Sequence, residues 1–286
     1  MPLQSMKPVL LKAFREGYAV GAFNIFNLNF LEAVCEAACS KQSPVILNIA
    51  EAHFKFVTPE HLVPAVKAIA DRSAVDMVLN LDHGMTKDGI KRAIDNGFTN
   101  IMFDGSGLDF ENNIRQTSEV VELCHRHGIS VEAELGAVGG AEGGALYGEA
   151  DRSKFTNVLQ AGIFVKETGV DFLAIAFGNV HGKYKGEPDL DFNLLEELHD
   201  VTKIPLVLHG GSGISASDFK RAISHGISKI NFFTGIATTA LDVSRAYLTR
   251  KGVIYDDYPQ MLQLVKSEVS RVVGDQMDIF GCAGKA

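Results

Sequence analysis

Short apolar runs rich in β-branched residues recur along the chain near residues 19–23, 44–49, 76–81, 99–103, 129–134, 171–176, 205–209 and 228–232. Each has the length of a strand buried on both faces. Between them lie longer stretches in which apolar positions return every three or four residues. Examples are Leu28-Asn29-Phe30-Leu31-Glu32-Ala33-Val34-Cys35-Glu36-Ala37-Ala38 and Leu62-Val63-Pro64-Ala65-Val66-Lys67-Ala68-Ile69-Ala70. That spacing places the apolar side chains on one helical face. Thr58-Pro59-Glu60 reads as a helix start, a cap residue followed by proline at the first helical position.

Eight strand-and-helix units, with starts roughly 23–42 residues apart, leave room for a helix and two loops each. They predict an α/β protein, a (β/α)8 TIM barrel. A doubly wound open sheet is the alternative, and the evenness of eight units favours closure. Residues 256–273 predict an additional C-terminal helix that covers the barrel or contacts a partner. No low-complexity linker interrupts the pattern, so one domain is expected over 1–286.

Composition narrows the possibilities. Of the 286 residues 46% are hydrophobic, with 28 glycines and 8 prolines, ordinary values for a folded enzyme. No stretch approaches 18 consecutive apolar residues, and Met1 to Pro8 lacks a basic region followed by an apolar core. A cytoplasmic protein without a membrane partner is expected. Cys35, Cys39, Cys124 and Cys282 have no tight metal-type spacing, which fits small core residues in a reducing compartment. The formal charge of −8 comes with no basic tract. Nucleic acid is therefore disfavoured as a partner, while small anions remain possible at local sites.

Three histidines each follow an apolar run and adjoin glycine: His83 before Gly84, His181 before Gly182 and His209 before Gly210. A single such histidine most simply ends a strand and bonds to local backbone. Three in the same context, at the ends of different barrel strands, can converge on one zinc ion and leave a position for substrate. His61, His125, His127, His199 and His225 fall in or at the ends of helical segments and read as surface residues. His53, after the second strand, can face the mouth and contact substrate. Carboxylates collect at the same level. Asp82 can orient a histidine or exchange a proton, and Asp104 and Glu134 can ligate or support a metal, unless they merely cap loops. Glu132 alternates with Glu134 but stands earlier in its strand and is less attractive.

His209-Gly210-Gly211-Ser212-Gly213 and Asn231-Phe232-Phe233-Thr234-Gly235 follow the seventh and eighth strands. Glycines let backbone N–H groups approach an anion, a helix N-terminus supplies more, and a barrel commonly binds phosphate here. Lys185 can add positive charge or simply face solvent. Residues 136–148 contain six glycines and suit an active-site flap, with Glu142 as its distinctive reactive side chain.

Asp82-His83-Gly84, Glu134-Leu135-Gly136-Ala137-Val138-Gly139-Gly140, His181-Gly182 and His209-Gly210-Gly211-Ser212-Gly213 together resemble the class II, metal-dependent fructose-bisphosphate aldolases. That family includes tagatose-bisphosphate and related ketose-phosphate aldolases, and the likeness runs through essentially the whole chain. It implies catalytic Zn2+ on His83, His181 and His209, with Asp104 and Glu134 in alternate metal placement or support, and room for an additional monovalent or divalent cation. It implies that Asp82 exchanges a proton with the aldehyde oxygen, and that Glu142 moves the proton on the bond-forming carbon of dihydroxyacetone phosphate. Gly182, Gly210, Gly211, Ser212, Asn231 and Thr234, with Lys185 nearby, would hold that molecule's phosphate. A homodimer or homotetramer is implied as well.

The implied reaction is reversible cleavage of fructose- or tagatose-1,6-bisphosphate to dihydroxyacetone phosphate and an aldehyde such as glyceraldehyde 3-phosphate. The chain departs from the family after the second strand. Asn48-Ile49-Ala50-Glu51-Ala52-His53 stands where a serine-glycine pair is frequent. Further departures, at Phe232, Phe233 and Gly235, follow Asn231. An aldolase for a different ketose 1-phosphate is the first alternative. A metal-dependent phosphosugar epimerase or isomerase is the second, and a non-catalytic sugar-phosphate binder the last.

Overall fold

A computed structural model describes every residue except 1, 141–146, 149, 251, 253 and 255–256. Eight strands run parallel around a closed barrel: β1 (Val20–Asn24), β2 (Val45–Ala50), β3 (Met77–Gly84), β4 (Asn100–Phe103), β5 (Ser130–Leu135), β6 (Phe172–Ile175), β7 (Leu206–Leu208) and β8 (Ile227–Asn231). Each pairs with its sequence neighbour, and β8 closes on β1 with Val20 opposite Lys229 and Ala22 opposite Asn231. The closed barrel agrees with the expected architecture and excludes the open sheet. Nearly every strand residue is buried, because one face meets the barrel interior and the other the helices.

The helical periods form a ring: α2 (Leu28–Lys41), α3 (Pro59–Ala70), α4 (Lys87–Asn96), α5 (Phe110–Arg126), α6 (Val158–Thr168), α7 (Phe192–Thr202), α8 (Ala216–Ser224) and α9 (Thr234–Leu248). Asn27, Thr86, Asp109, Asn157, Asp191 and Ser215 cap six of them by accepting a backbone N–H in the first turn. Helix α9 has no side-chain cap of its own, since Phe233 stands at that position. Its first residue, Thr234, lines the cleft at the mouth.

Two helices lie outside the eight units. Helix α1 (Met6–Glu16) precedes the barrel, with Gln4 N–H donating to the Met77 carbonyl at the start of β3 (2.8 Å). The C-terminal helix α10 runs from Asp257 to Phe280, longer than the 256–273 pattern, and packs against α2 and α9. Buried Met277 and Phe280 continue the apolar face of Val265, Val269 and Val273 beyond that range. Ala19 N–H donates to the Phe280 carbonyl (3.0 Å), which ties the helix end to the base of β1.

The barrel interior is unusually polar. Asn80 donates to Asn48 (2.9 Å), Asn100 lies 2.7 Å from Asn80, and the Ser130 hydroxyl lies 2.7 Å from Asn100, a hydrogen-bonded girdle linking β2 to β5. Buried amides of this kind are tolerable only when paired, and the pairing fixes neighbouring strands in register.

Candidate active site

Asp82 and His83 are adjacent, and in a regular strand adjacent side chains point to opposite faces. Here both serve the mouth. The β3–β4 register shifts between Leu81 and Gly84, and His83 takes the left-handed φ of 45°. This bulge carries one residue out of the ladder and re-aims its side chain. The displaced His83 N–H faces the Met102 sulfur at 3.5 Å. Gly84 completes the bend, where an added Cβ would stand 2.8 Å from the Met102 carbonyl oxygen. A left-handed non-glycine residue is strained, and such strain is concentrated at functional positions.

The three strand-end histidines converge. Their ligand-type nitrogens all lie within 4.8 Å of one another, and the His83 and His209 rings stand 4.8 Å apart. Their other partners set the proton positions. His83 Nδ1 lies 2.7 Å from Asp104 Oδ2, and His209 Nε2 lies 2.9 Å from Glu132 Oε1. An ionised carboxylate only accepts, so each of those nitrogens carries the hydrogen. The opposite nitrogens, His83 Nε2 and His209 Nδ1, then face each other across 3.1 Å. His181 Nε2 is buried with no hydrogen-bond partner. Burial first, and then the neighbouring His83, pushes the His181 pKa down to about 3. Burial pushes His209 well below its ordinary value, with His83 and Lys229 adding to the effect. Three convergent imidazoles, two of them held neutral by burial, are a fitting donor set for a divalent metal.

A second set shares His83. His83, Asp104 and Glu134 also bring their ligand atoms within 4.8 Å of one another. Glu134 Oε1 accepts the Val138 N–H at 3.2 Å, while its buried Oε2 has no partner. Burial and then the Asp104 charge push the Glu134 carboxyl up to about 8. Asp104 goes the other way. Burial raises its pKa, but the hydrogen bond to His83 and the bonds from Ser106 outweigh that and hold it well below the carboxylate range.

Asp82 is fully buried in the cleft between these groups and β8. Asn231 Nδ2 donates to Oδ1 (2.9 Å) and Asn24 Nδ2 to Oδ2 (3.3 Å). Burial opposes ionisation, but His83, His209 and Lys229 together outweigh it and lower the Asp82 pKa. Beside it opens a cleft lined by His181, Gly182, Gly210, Gly211, Ser212, Asn231, Phe233 and Thr234. Gly210 takes φ 70°, and a Cβ there would stand 2.0 Å from the Val180 carbonyl oxygen. Ser212 Oγ accepts the Gly235 N–H at 2.9 Å and so caps α9 from the neighbouring loop. Six of the seven residues expected around a phosphate therefore line one cleft at a helix N-terminus.

This chain matches the family model of the class II fructose-bisphosphate aldolases over residues 4–285. The chain belongs to that family. A relative named fructose-bisphosphate aldolase from Geobacillus stearothermophilus is 42% identical over 289 residues, covering 100% of this chain and 99% of the relative. Another, from Bacillus velezensis, is named 6-phospho-5-dehydro-2-deoxy-D-gluconate aldolase and is 40% identical, covering 100% of this chain and 98% of the relative. The crystal structure of the YdjI aldolase from Escherichia coli K12 superposes with a TM-score of 0.88 at 33% identity, covering 99% of each chain. Membership makes the protein an aldolase, a carbon–carbon lyase of a metal-dependent family acting on phosphosugars, as the sequence resemblance implied.

Within this aldolase the remaining expected residues fall in different places. Lys185 does not join the cleft. It lines a separate surface cavity with Arg152, Phe155 and Asp189. It follows the extended segment Lys183–Tyr184, which pairs with a short strand at Tyr147–Gly148. Tyr184, which also lines that cavity, accepts the Val180 N–H and donates to the Gly210 carbonyl (3.2 and 3.1 Å). Glu142 lies outside the described residues. His53 is buried in a short 3-10 turn against Phe26 and Phe233, with ring centroids 6.1 and 5.1 Å away. Phe233 separates it from the phosphate side of the cleft, whose wall it also forms.

Sequence reasoning undervalued Glu132 and passed over Lys229, Asn24 and Glu51. Glu51 accepts from the Met85 and Thr86 N–H groups (2.6 and 3.1 Å) and from the Thr86 hydroxyl, clasping the loop after His83. The altered segment after β2 thus supports the metal side of the mouth through Glu51 and presents His53 to the aromatic wall. A charged residue inside a strand-forming run, as in Ile227-Ser228-Lys229-Ile230 or Val131-Glu132-Ala133, was the available signal for the first two.

Proposed function

We propose that this aldolase is zinc-dependent and reversibly cleaves a ketose phosphate, foremost fructose- or tagatose-1,6-bisphosphate, to dihydroxyacetone phosphate and an aldehyde such as glyceraldehyde 3-phosphate. The observation that carries the reading is adjacency: His181 belongs both to the three-histidine cluster and to the cleft of glycines and Ser212. A three-carbon phosphate seated there would place its reactive carbons beside the imidazoles and Asp82.

His83, His181 and His209 would hold zinc, and Asp104 and Glu134 would support it or take an additional cation. Bound zinc supplies a Lewis acid for the negative charge that develops on substrate oxygens. The glycine backbone at Gly182, Gly210 and Gly211 lets the phosphate approach closely, and the α9 N-terminus, with Ser212 and Thr234, binds and orients it. Asp82, held ionised by its surroundings, takes the proton from the hydroxyl that becomes the aldehyde, and returns it in condensation. Glu142 is assigned the carbon-bound proton. The family resemblance supports that role.

The distal group is the open choice within this reading. Relatives of 42% and 40% identity carry names for fructose bisphosphate and for a phosphorylated gluconate. An aldolase for a different ketose 1-phosphate therefore stands as the second reading. The aromatic wall of Phe26, His53 and Phe233 on the side away from Ser212 favours it. No helix among the described residues is long and apolar enough to cross a membrane, and we place the protein in the cytoplasm as a homodimer or homotetramer of one-domain chains.

The test is a zinc-supplemented retro-aldol screen across fructose bisphosphate, tagatose bisphosphate and ketose 1-phosphates, with wild type and His181→Ala. Dihydroxyacetone phosphate should appear from at least one substrate, and the variant should lose both zinc and at least about a hundredfold in kcat/KM. A zinc-loaded wild type that releases no triose phosphate from any of them would refute the assignment.

A further inference from the structure

Lys229 stands in the middle of β8 with a side chain that has no exposure, and Glu132 on β5 is equally enclosed. Their contact spans the barrel interior, with Lys229 Nζ donating to Glu132 Oε2 at 2.7 Å. The other oxygen, Oε1, faces His209 Nε2 at 2.9 Å. Neither charged group reaches the mouth, so neither can touch substrate. Nor is a buried ion pair an efficient source of stability, because apolar residues of the same volume commonly fold as well or better. Retaining both charges under a mouth histidine calls for another explanation, and the geometry supplies it.

We infer that Lys229 and Glu132 are positioning residues that fix the orientation and tautomer of His209, so that its Nδ1 lone pair faces the metal site. Lys229 keeps Glu132 an acceptor. The Glu132 oxygen then demands the hydrogen on His209 Nε2, which leaves Nδ1 bare. A second contact agrees: the Asn231 amide, a donor, stands 3.3 Å from that same Nδ1. Without the carboxylate, the imidazole could rotate or carry its hydrogen on Nδ1, and either change removes a ligand from the set. His83 has a shallower counterpart in Asp104, itself held by the Ser106 hydroxyl and N–H (2.7 and 3.1 Å). His209 differs in that its orienting carboxylate needs a lysine because no solvent reaches it.

This inference rests on the three-histidine metal reading, and the experiment separates the two. Co2+ alone is titrated into the metal-stripped full-length protein, as wild type and as Glu132→Leu/Lys229→Met, which exchanges the ion pair for apolar volume. The double variant should unfold cooperatively like wild type, yet bind Co2+ roughly 10–100-fold more weakly and with an altered visible spectrum. Wild-type affinity and an unchanged spectrum in the double variant would overturn the positioning role. In parallel, ¹⁵N-resolved NMR of the metal-free wild type should show His209 protonated at Nε2; protonation at Nδ1 would also overturn it. A wild type that binds no Co2+ would instead count against the metal reading, with the NMR result still deciding the tautomer.

Discussion

Two glutamates two residues apart on β5 occupy successive layers of the same barrel interior, and their surroundings differ completely. Glu132, in the lower layer, has both oxygens engaged, one by Lys229 and the other by His209. Glu134, at the mouth, has one oxygen on a backbone N–H and the other buried without a partner, and its pKa is pushed up to about 8 by burial and Asp104. The lower layer is a finished electrostatic unit. The upper one, with His83, Asp104, His181 and His209, is a set of donors awaiting a cation or a substrate. One strand with a two-residue repeat therefore carries a fully paired carboxylate and one left half-paired, and the difference lies in what the surrounding elements contribute.

The sharpest way to break this contrast is to remove the compensation below. Lys229→Met leaves the Glu132 carboxylate enclosed beside His209 with no cation, and breaking a buried pair from one side costs about 3–5 kcal/mol. Urea unfolding of the full-length protein at pH 7 should register a loss of that size. A loss under about 1 kcal/mol would mean that the lower layer is not the compensated unit described.

The upper layer should respond in the opposite direction. With a folded pKa raised to about 8 from an ordinary 4.5, Glu134 binds its proton more tightly in the folded chain. Its contribution is fully present below pH 4.5 and is lost as pH rises through about 8. Glu134→Gln keeps an acceptor for the Val138 N–H and cannot ionise. In metal-stripped protein it should exceed wild type in stability by a few kcal/mol at pH 8, since each pKa unit is worth about 1.4 kcal/mol. The two proteins should match at pH 4.5, and adding zinc should narrow the gap at pH 8. Denaturant unfolding at both pH values measures it, and a gap independent of pH would show that Glu134 is ionised throughout.

The difference between the layers also marks what could be read from the chain. Strand positions, the closed barrel and the three histidines were legible because each depends on local pattern: an apolar run, then a polar residue, then glycine. The cleft residues followed from glycine spacing and from their place after the last two strands. What joins elements across the barrel was not legible. Glu132 and Lys229 are 97 positions apart, and only strand register brings them together. Strict alternation would put Asp82 and His83 on opposite faces, and a bulge with a left-handed histidine overrides it. Lys185 illustrates the converse, a cation expected near the cleft from its place in the sequence that lines a separate cavity with Arg152 and Asp189.

His53 tests the comparison at its margin, because it is a buried titratable group that belongs to neither layer. It lies among Phe26, Phe56 and Phe233, and its Nδ1 has no hydrogen-bond partner. Burial lowers its pKa, partly opposed by the Asp82 charge and reinforced by Lys55. The folded chain thus favours neutral His53, and its contribution to stability is present above pH 6.5 and lost as pH falls through the lower folded value. His53→Phe preserves the ring packing and removes the titration. It should leave stability at pH 8 within about 1 kcal/mol of wild type and reduce the loss between pH 7 and pH 5. If His53 also meets the distal part of the substrate, the same variant should raise KM for the ketose phosphate severalfold while binding zinc as tightly as wild type. Unchanged KM together with the altered pH dependence would confine His53 to the aromatic wall. The specificity for the distal group would then have to be sought elsewhere around the mouth.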